Sequence, residues 1–134
     1  MRLKNYNMID LAVFCLKYLL FAICVVFCHY LLTAIEALYI STNDFYPIHL
    51  FNFSLSFCGS LIILLLIKNM KNKIGFIFLA LSIVKFFLVI TYLGYVIINN
   101  LKVEVFALHF ICVFLLYLFF DVKWTVNKIN AHSA

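Results

Sequence analysis

The chain has 134 residues, 68% of them hydrophobic and 11% charged, with a formal charge of +5 and a mean hydropathy of +1.17. A soluble domain needs a far more charged surface, and a nucleic-acid-binding protein needs a basic stripe on such a surface, so the composition argues against both and suits the bilayer. Four spans of about 20 residues each use most of the length, which leaves residues 1–134 as one integral-membrane domain.

The first apolar run extends from about Leu11 to Leu38. Asp10 stands where an N-cap belongs, and a carboxylate suits the positive end of a helix. The run is about twice as long as a signal-peptide core and lacks a small-residue cleavage site, so it is read as a retained span. The connector Ser41-Thr42-Asn43-Asp44-Phe45-Tyr46-Pro47 has the composition of a turn. The second run, Ile48 to Ile67, has no charged residue. Its Ser56, Gly59 and Ser60 form a small-residue face of the kind that lets helices pack closely in lipid. The third run, Ile74 to Ile98, is interrupted only by Lys85 and ends at Asn99 and Asn100. The fourth covers about Val103 to Val122, with Glu104 at one end and Asp121 at the other.

Each run must be helical, because the bilayer core offers no other partner for backbone polar groups. Short connectors join neighbours, so the predicted fold is all-α: four transmembrane helices, 11–38, 48–67, 74–98 and 103–122, in an up-and-down antiparallel bundle. Arg2, Lys4, Lys68, Lys71, Lys73, Lys123 and Lys128 cluster on one predicted side, while the other two connectors hold only Lys102. Basic short loops stay in the cytoplasm, which places both termini inside. Tyr6, Tyr18, Tyr39, Tyr46, Tyr95 and Trp124 fall near the predicted membrane interfaces. Cys15, Cys24, Cys28, Cys58 and Cys112 all lie in apolar runs without a C-x-x-C pair and read as small apolar fillers.

Ionisable groups within a span are costly and mark candidate sites. Lys85 is the deepest, on a helix face shared with Ser82 and Tyr92. Its alternatives are a specific partner or an ammonium that snorkels to the headgroups; Asp121, on the adjacent fourth helix, is the expected partner. Lys17 reads as a snorkeller. In the outer half, His29, Thr33 and Glu36 share one helix face, Asp44 and His49 follow in or near the connector, and Glu104 and His109 enter the fourth helix. Histidines and carboxylates at similar depth suit a divalent cation or a proton relay. Glu104 and His109 are five apart, however, not one helical turn, and interhelical hydrogen bonding is the simpler reading. No metal, cofactor or catalytic residue is assigned: no nucleophile has a base fixed beside it, and no Gly-rich phosphate loop exists.

The stretch Gly75-Phe76-Ile77-Phe78-Leu79-Ala80-Leu81-Ser82-Ile83-Val84-Lys85 resembles the third helix of an uncharacterised family of small four-helix bacterial membrane proteins. In that family Phe, Leu, Ser and Lys recur with this spacing. Its fourth helix ends in an aromatic and an acidic residue, followed by a short tail; here Phe120-Asp121 and Ile129-Asn130 match, with Asp121 in place of Glu. The family is similar in layout to subunit I of the bacterial ATP synthase operon (AtpI-like). The third helix of that subunit carries an acid three residues before a lysine; Ser82 replaces the acid, so only Lys85 carries over. The resemblance implies an accessory role beside the rotary ATP synthase, in assembly of its membrane ring and in magnesium supply, in the bacterial inner membrane. On this reading the chain is an accessory or assembly protein, not an enzyme. Its partners are the bilayer and other membrane helices, with the Lys85 stripe as the recognition point. Two alternatives stand beside it: a small transporter or channel subunit acting as an oligomer, and a structural subunit of a larger complex.

Overall fold

The computed structural model describes residues 8–34, 40–67, 69–99 and 103–131. It has four helices, α1 (Met8–Thr33), α2 (Thr42–Leu66), α3 (Ile74–Asn99) and α4 (Val103–Ala131), with a short 3-10 turn, Lys71–Lys73, ahead of α3. All four are long and apolar enough to cross a membrane, and the described residues contain no strand. The chain is therefore a multi-pass integral membrane protein with the expected up-and-down arrangement.

Three helix boundaries differ from the sequence reading. α2 begins at Thr42, so the predicted turn is its first two turns. Ser41 is the N-cap residue, with its hydroxyl on Asp44 Oδ2 at 2.7 Å and its carbonyl accepting from the Asp44 and Phe45 N–H groups. Pro47 sits inside α2, where its missing N–H removes one hydrogen bond near the helix end. α4 continues past Val122 to Ala131, because Trp124, Thr125 and the partly buried Ile129 extend the inward face of the helix. α1 starts at Met8, which puts Asp10 in its first turn instead of at the cap. Its described end is Thr33, whose hydroxyl donates to the Tyr30 carbonyl at 2.8 Å; residues 35–39, including Glu36 and Tyr39, lie outside the described residues, as do Tyr6, Arg2, Lys4, Lys68 and Lys102.

α2 and α4 are in closest contact, and α1 and α3 each pack against both. The inward face of α2 explains this centre: His49, Asn52, Ser56, Gly59, Ser60 and Ile63 recur every three or four residues and are buried. Ser56, Gly59 and Ser60 among them are small, so α4 approaches closely. α1 contributes a single buried stripe, Phe14, Tyr18, Ala22, Val25 and His29, and α3 a thinner one, Ile74, Lys85, Val89 and Val96. Rings fill the interior towards the chain termini: Phe14 lies 4.9 Å from Trp124 and 5.6 Å from Phe57, and Phe21 stacks on Phe120 at 4.1 Å. Tyr18 and Trp124 thus face inward and are not interfacial rings. Tyr46 and Tyr95 are exposed. Cys24, Cys28, Cys58 and Cys112 are exposed free thiols on the outer faces of their helices, and Cys15 is half-buried.

Candidate functional site

Two polar centres are buried in the bundle. The first is built around Asp121 of α4, which is fully buried (0% exposed). Lys85 Nζ of α3 donates to its Oδ2 at 2.7 Å, forming an ion pair between side chains that are almost wholly enclosed. Ser56 Oγ of α2 also donates to Oδ2. Ser60 Oγ, one turn on, donates to Oδ1 at 2.7 Å, and Tyr18 Oη of α1 donates to Oδ1 at 3.2 Å. Donors from three helices therefore converge on the carboxylate of the fourth. The charges cancel, and each carboxylate oxygen has two donors, which is what a buried charge requires.

The small-residue face of α2 acquires a different role from the one read in the sequence. Ser56 and Ser60 are the hydrogen-bond donors to Asp121, and Gly59 between them makes room for the lysine. A Cβ at position 59 would lie 2.5 Å from Lys85 Cε and 2.8 Å from Nζ. Ser82, assigned to the same stripe, does not take part; its hydroxyl donates to the Phe78 carbonyl of its own helix at 2.9 Å. Tyr92 stacks on Phe51 at 4.5 Å, well away from the ion pair. Lys17 is exposed on α1.

The second centre joins three histidines from α1, α2 and α4. His29 Nδ1 is 2.7 Å from His49 Nε2, and His29 Nε2 is 2.6 Å from His109 Nδ1. Phe45 stacks on His29, with ring centroids 4.9 Å apart, and meets His49 in a tilted contact at 4.6 Å. On α1 the two centres are eleven residues apart (Tyr18 to His29) and on α4 twelve (His109 to Asp121), or about 16–18 Å along the bundle axis. Asn52 of α2 lies between them. Its Nδ2 donates to the Ile48 carbonyl at 2.9 Å, while its Oδ1 and His49 Nδ1 have no partner among the described residues.

Comparison of the chain with protein-family models, curated proteins and solved structures finds no match. In the first centre Ser56, Ser60 and Lys85 all donate to the Asp121 carboxylate, which holds the three side chains on one acceptor. The histidines form a chain, not a converging set. Both nitrogens of His29 are engaged by neighbouring rings, whereas a metal centre needs one lone pair from each ring aimed at a common point. What such a chain can do is pass a proton or a tautomeric change, since each neutral ring carries one N–H and one lone pair.

The sequence brought Lys85 and Asp121 together and put Ser56, Gly59 and Ser60 on one face. It named His29 and His109 as outer-half candidates, and the structure links them through His29's own ring, with His49 as the third member. Glu104 is exposed in the first turn of α4. Tyr18 was missed as a site residue, although its spacing of eleven residues from His29 puts both on one face of α1, three turns apart.

Proposed function

We propose that this chain is a small accessory protein of the membrane that works by helix-to-helix contact, with membrane subunits of an ATP synthase as its clients. The observation that supports this is the uneven burial of the helices. In the spanning part, 44% of α2 is buried but only 22% of α1 and 17% of α3. Lys85 and Asp121, the charged side chains at the centre, are engaged with each other, and α1 and α3 turn broad apolar faces outward, including Phe76, Phe86 and Phe87 of α3. Contact by packing suits a bilayer, where association rests on close van der Waals fit more than on apolar burial. Lys85 is not the recognition point: it is 5% exposed and held by Asp121, so its role is to fix the bundle that presents these faces. The four-helix layout and the basic flanks, which favour both termini in the cytoplasm, support the choice of client.

A photo-crosslinking residue at Phe87, exposed on α3, tests the reading, with buried Phe110 as control. Adducts to ATP synthase membrane subunits from Phe87 only, with less assembled ring in a deletion strain, are expected. Normal ring assembly without the chain would defeat the reading. The histidine chain favours a second reading, a proton-conducting subunit. Proton flux into liposomes that is lost in His29→Phe would support it.

A further inference from the structure

His49, His29 and His109 are joined end to end by two N···N hydrogen bonds, 2.7 and 2.6 Å long, which use one nitrogen of each terminal ring and both of His29. Each bridge holds one hydrogen and one lone pair. Three neutral rings carry three hydrogens, so the third sits at an end of the chain, on His49 Nδ1 or His109 Nε2. One added proton fills the other end and leaves both bridges intact. Asn52 Oδ1, one turn along the same buried face of α2 and without a partner among the described residues, gives a hydrogen on His49 Nδ1 an acceptor once either side chain turns. A second added proton has only the bridges left to enter. Two N–H groups would then face each other at a distance that only a donor and an acceptor can share.

His29 is also where α1 is held. The buried stripe of that helix, Phe14, Tyr18, Ala22, Val25 and His29, ends at this residue. Tyr18 ties α1 to Asp121 in the half nearer the chain termini, and His29 ties it to α2 and α4 at the end that carries the α1–α2 and α3–α4 connectors. The His29 ring centroid lies 4.8 Å from that of His49 and 4.7 Å from that of His109, so two positive rings in the chain would repel at close range. Around them, α2 carries Asp44, hydrogen-bonded to Ser41, and α4 the exposed Glu104, each five residues or about 7–8 Å along its helix from the nearest histidine. α1 adds Tyr30 and Cys28, both exposed, and α3 adds Tyr92, stacked on Phe51, and the exposed Tyr95. Cys112 of α4 is exposed on the outer face of its helix.

We infer that the histidine chain is an acid-operated latch on α1: it takes up one proton with both bridges intact, and a second only by breaking a bridge, which releases the connector end of α1 from α2 or α4. The two stages follow from the count of hydrogens and lone pairs in the chain. The site of release follows from the position of His29 at the end of the α1 stripe, with Tyr18 holding the rest of the helix in place. The inference rests on neither reading of function, since a latch need not conduct protons and opens whatever the client.

The test uses the full chain in lipid nanodiscs. ¹⁵N-labelled histidine reads the protons on each ring and, through couplings across the N–H···N bridges, whether each bridge is intact. As the pH is lowered from neutral, the first proton should leave both couplings and the second should abolish at least one. These couplings are read in the unsubstituted chain, so the test stands without any variant. Paired spin labels then follow the helices in a chain whose five cysteines are replaced. Tyr30→Cys with Tyr46→Cys marks the connector end of α1 and α2, and Leu16→Cys with Ile62→Cys marks the other half; all four positions are exposed. The connector-end pair should separate with the second proton, while the other pair keeps its distance. Asp44→Asn and Glu104→Gln should leave this response in place, and His29→Phe should remove it. Equal separation of both pairs would mean acid unfolding and overturn the latch. So would couplings that outlast the second proton, a connector-end distance indifferent to pH, or a response that survives His29→Phe or is lost in Asp44→Asn or Glu104→Gln.

Discussion

Removing Asp121 should damage the protein more than removing Lys85, and removing both should damage it less than either. Loss of one partner from a buried ion pair costs about 3–5 kcal/mol, because the other charge stays buried. Asp121→Leu strips the acceptor from Lys85 and also from Tyr18, Ser56 and Ser60. Interhelical hydrogen bonds in membranes average about 0.6 kcal/mol each, so the three hydroxyls add about 2 kcal/mol and the total is about 5–7 kcal/mol. Lys85→Met leaves the carboxylate with three donors, which puts its cost at the lower end, about 3 kcal/mol. The double variant has no buried charge and loses only the acceptor for the hydroxyls, about 2 kcal/mol. Reversible unfolding in mixed micelles measures all three. A double variant whose loss equals the sum of the singles, within about 0.5 kcal/mol, would refute the coupling.

Gly59→Ala normally stabilises a helix by up to about 1 kcal/mol, but here the new methyl meets the end of Lys85 and the expected result is a loss of about 1–3 kcal/mol, reverting to a gain in a Lys85→Ala background. His29→Phe keeps a ring but removes the hydrogen bonds that His29 shares with His49 Nε2 and His109 Nδ1, and should cost about 1–3 kcal/mol in the same unfolding assay. Ser82→Ala should change stability by less than about 0.5 kcal/mol, since its hydroxyl serves only its own helix. In a cysteine-free background, Asn43→Cys and Met70→Cys should react with impermeant maleimide from opposite sides of the membrane; labelling of both from one side would contradict the four-span topology.

The helices were legible because a bilayer leaves a chain little choice: long apolar runs must be helical, and short connectors must join neighbours. The Lys85–Asp121 pair was legible for a related reason, since each charge in lipid needs an opposite one nearby. Boundaries were less so. Ser41 to Pro47 has turn residues, yet Ser, Asp and Pro are also what the first turns of a helix accept, and composition alone does not separate the two. Tyr18 and Trp124 are amphipathic rings that suit either an interface or a core with a partner, and only the position of Asp121 and Phe14 decides. Ser56 and Ser60 read as small residues because the sequence does not show that a carboxylate faces them. The histidine chain was the least visible part: its members lie 20 and 80 residues apart, and their meeting depends on the rotation of three helices.

The position of Asp121 also bears on how the protein is made. α3 emerges from the ribosome before α4, so Lys85 reaches the membrane while its counter-charge is still being synthesised. A lysine near the middle of a span costs about 2.5–3.5 kcal/mol during insertion, and the Leu, Ile, Phe and Val residues that fill the rest of α3 offset this at about 0.3–0.6 kcal/mol each. α3 is thus apolar enough to enter alone and wait. α4 has a lower share of such residues and carries Asp121, Lys123 and Lys128 towards its end. Its insertion is the step that neutralises Lys85 and gives Tyr18, Ser56 and Ser60 their acceptor. Closure of the bundle is therefore tied to the arrival of one carboxylate, and a chain stalled before residue 121 would hold an unmatched ammonium in the bilayer.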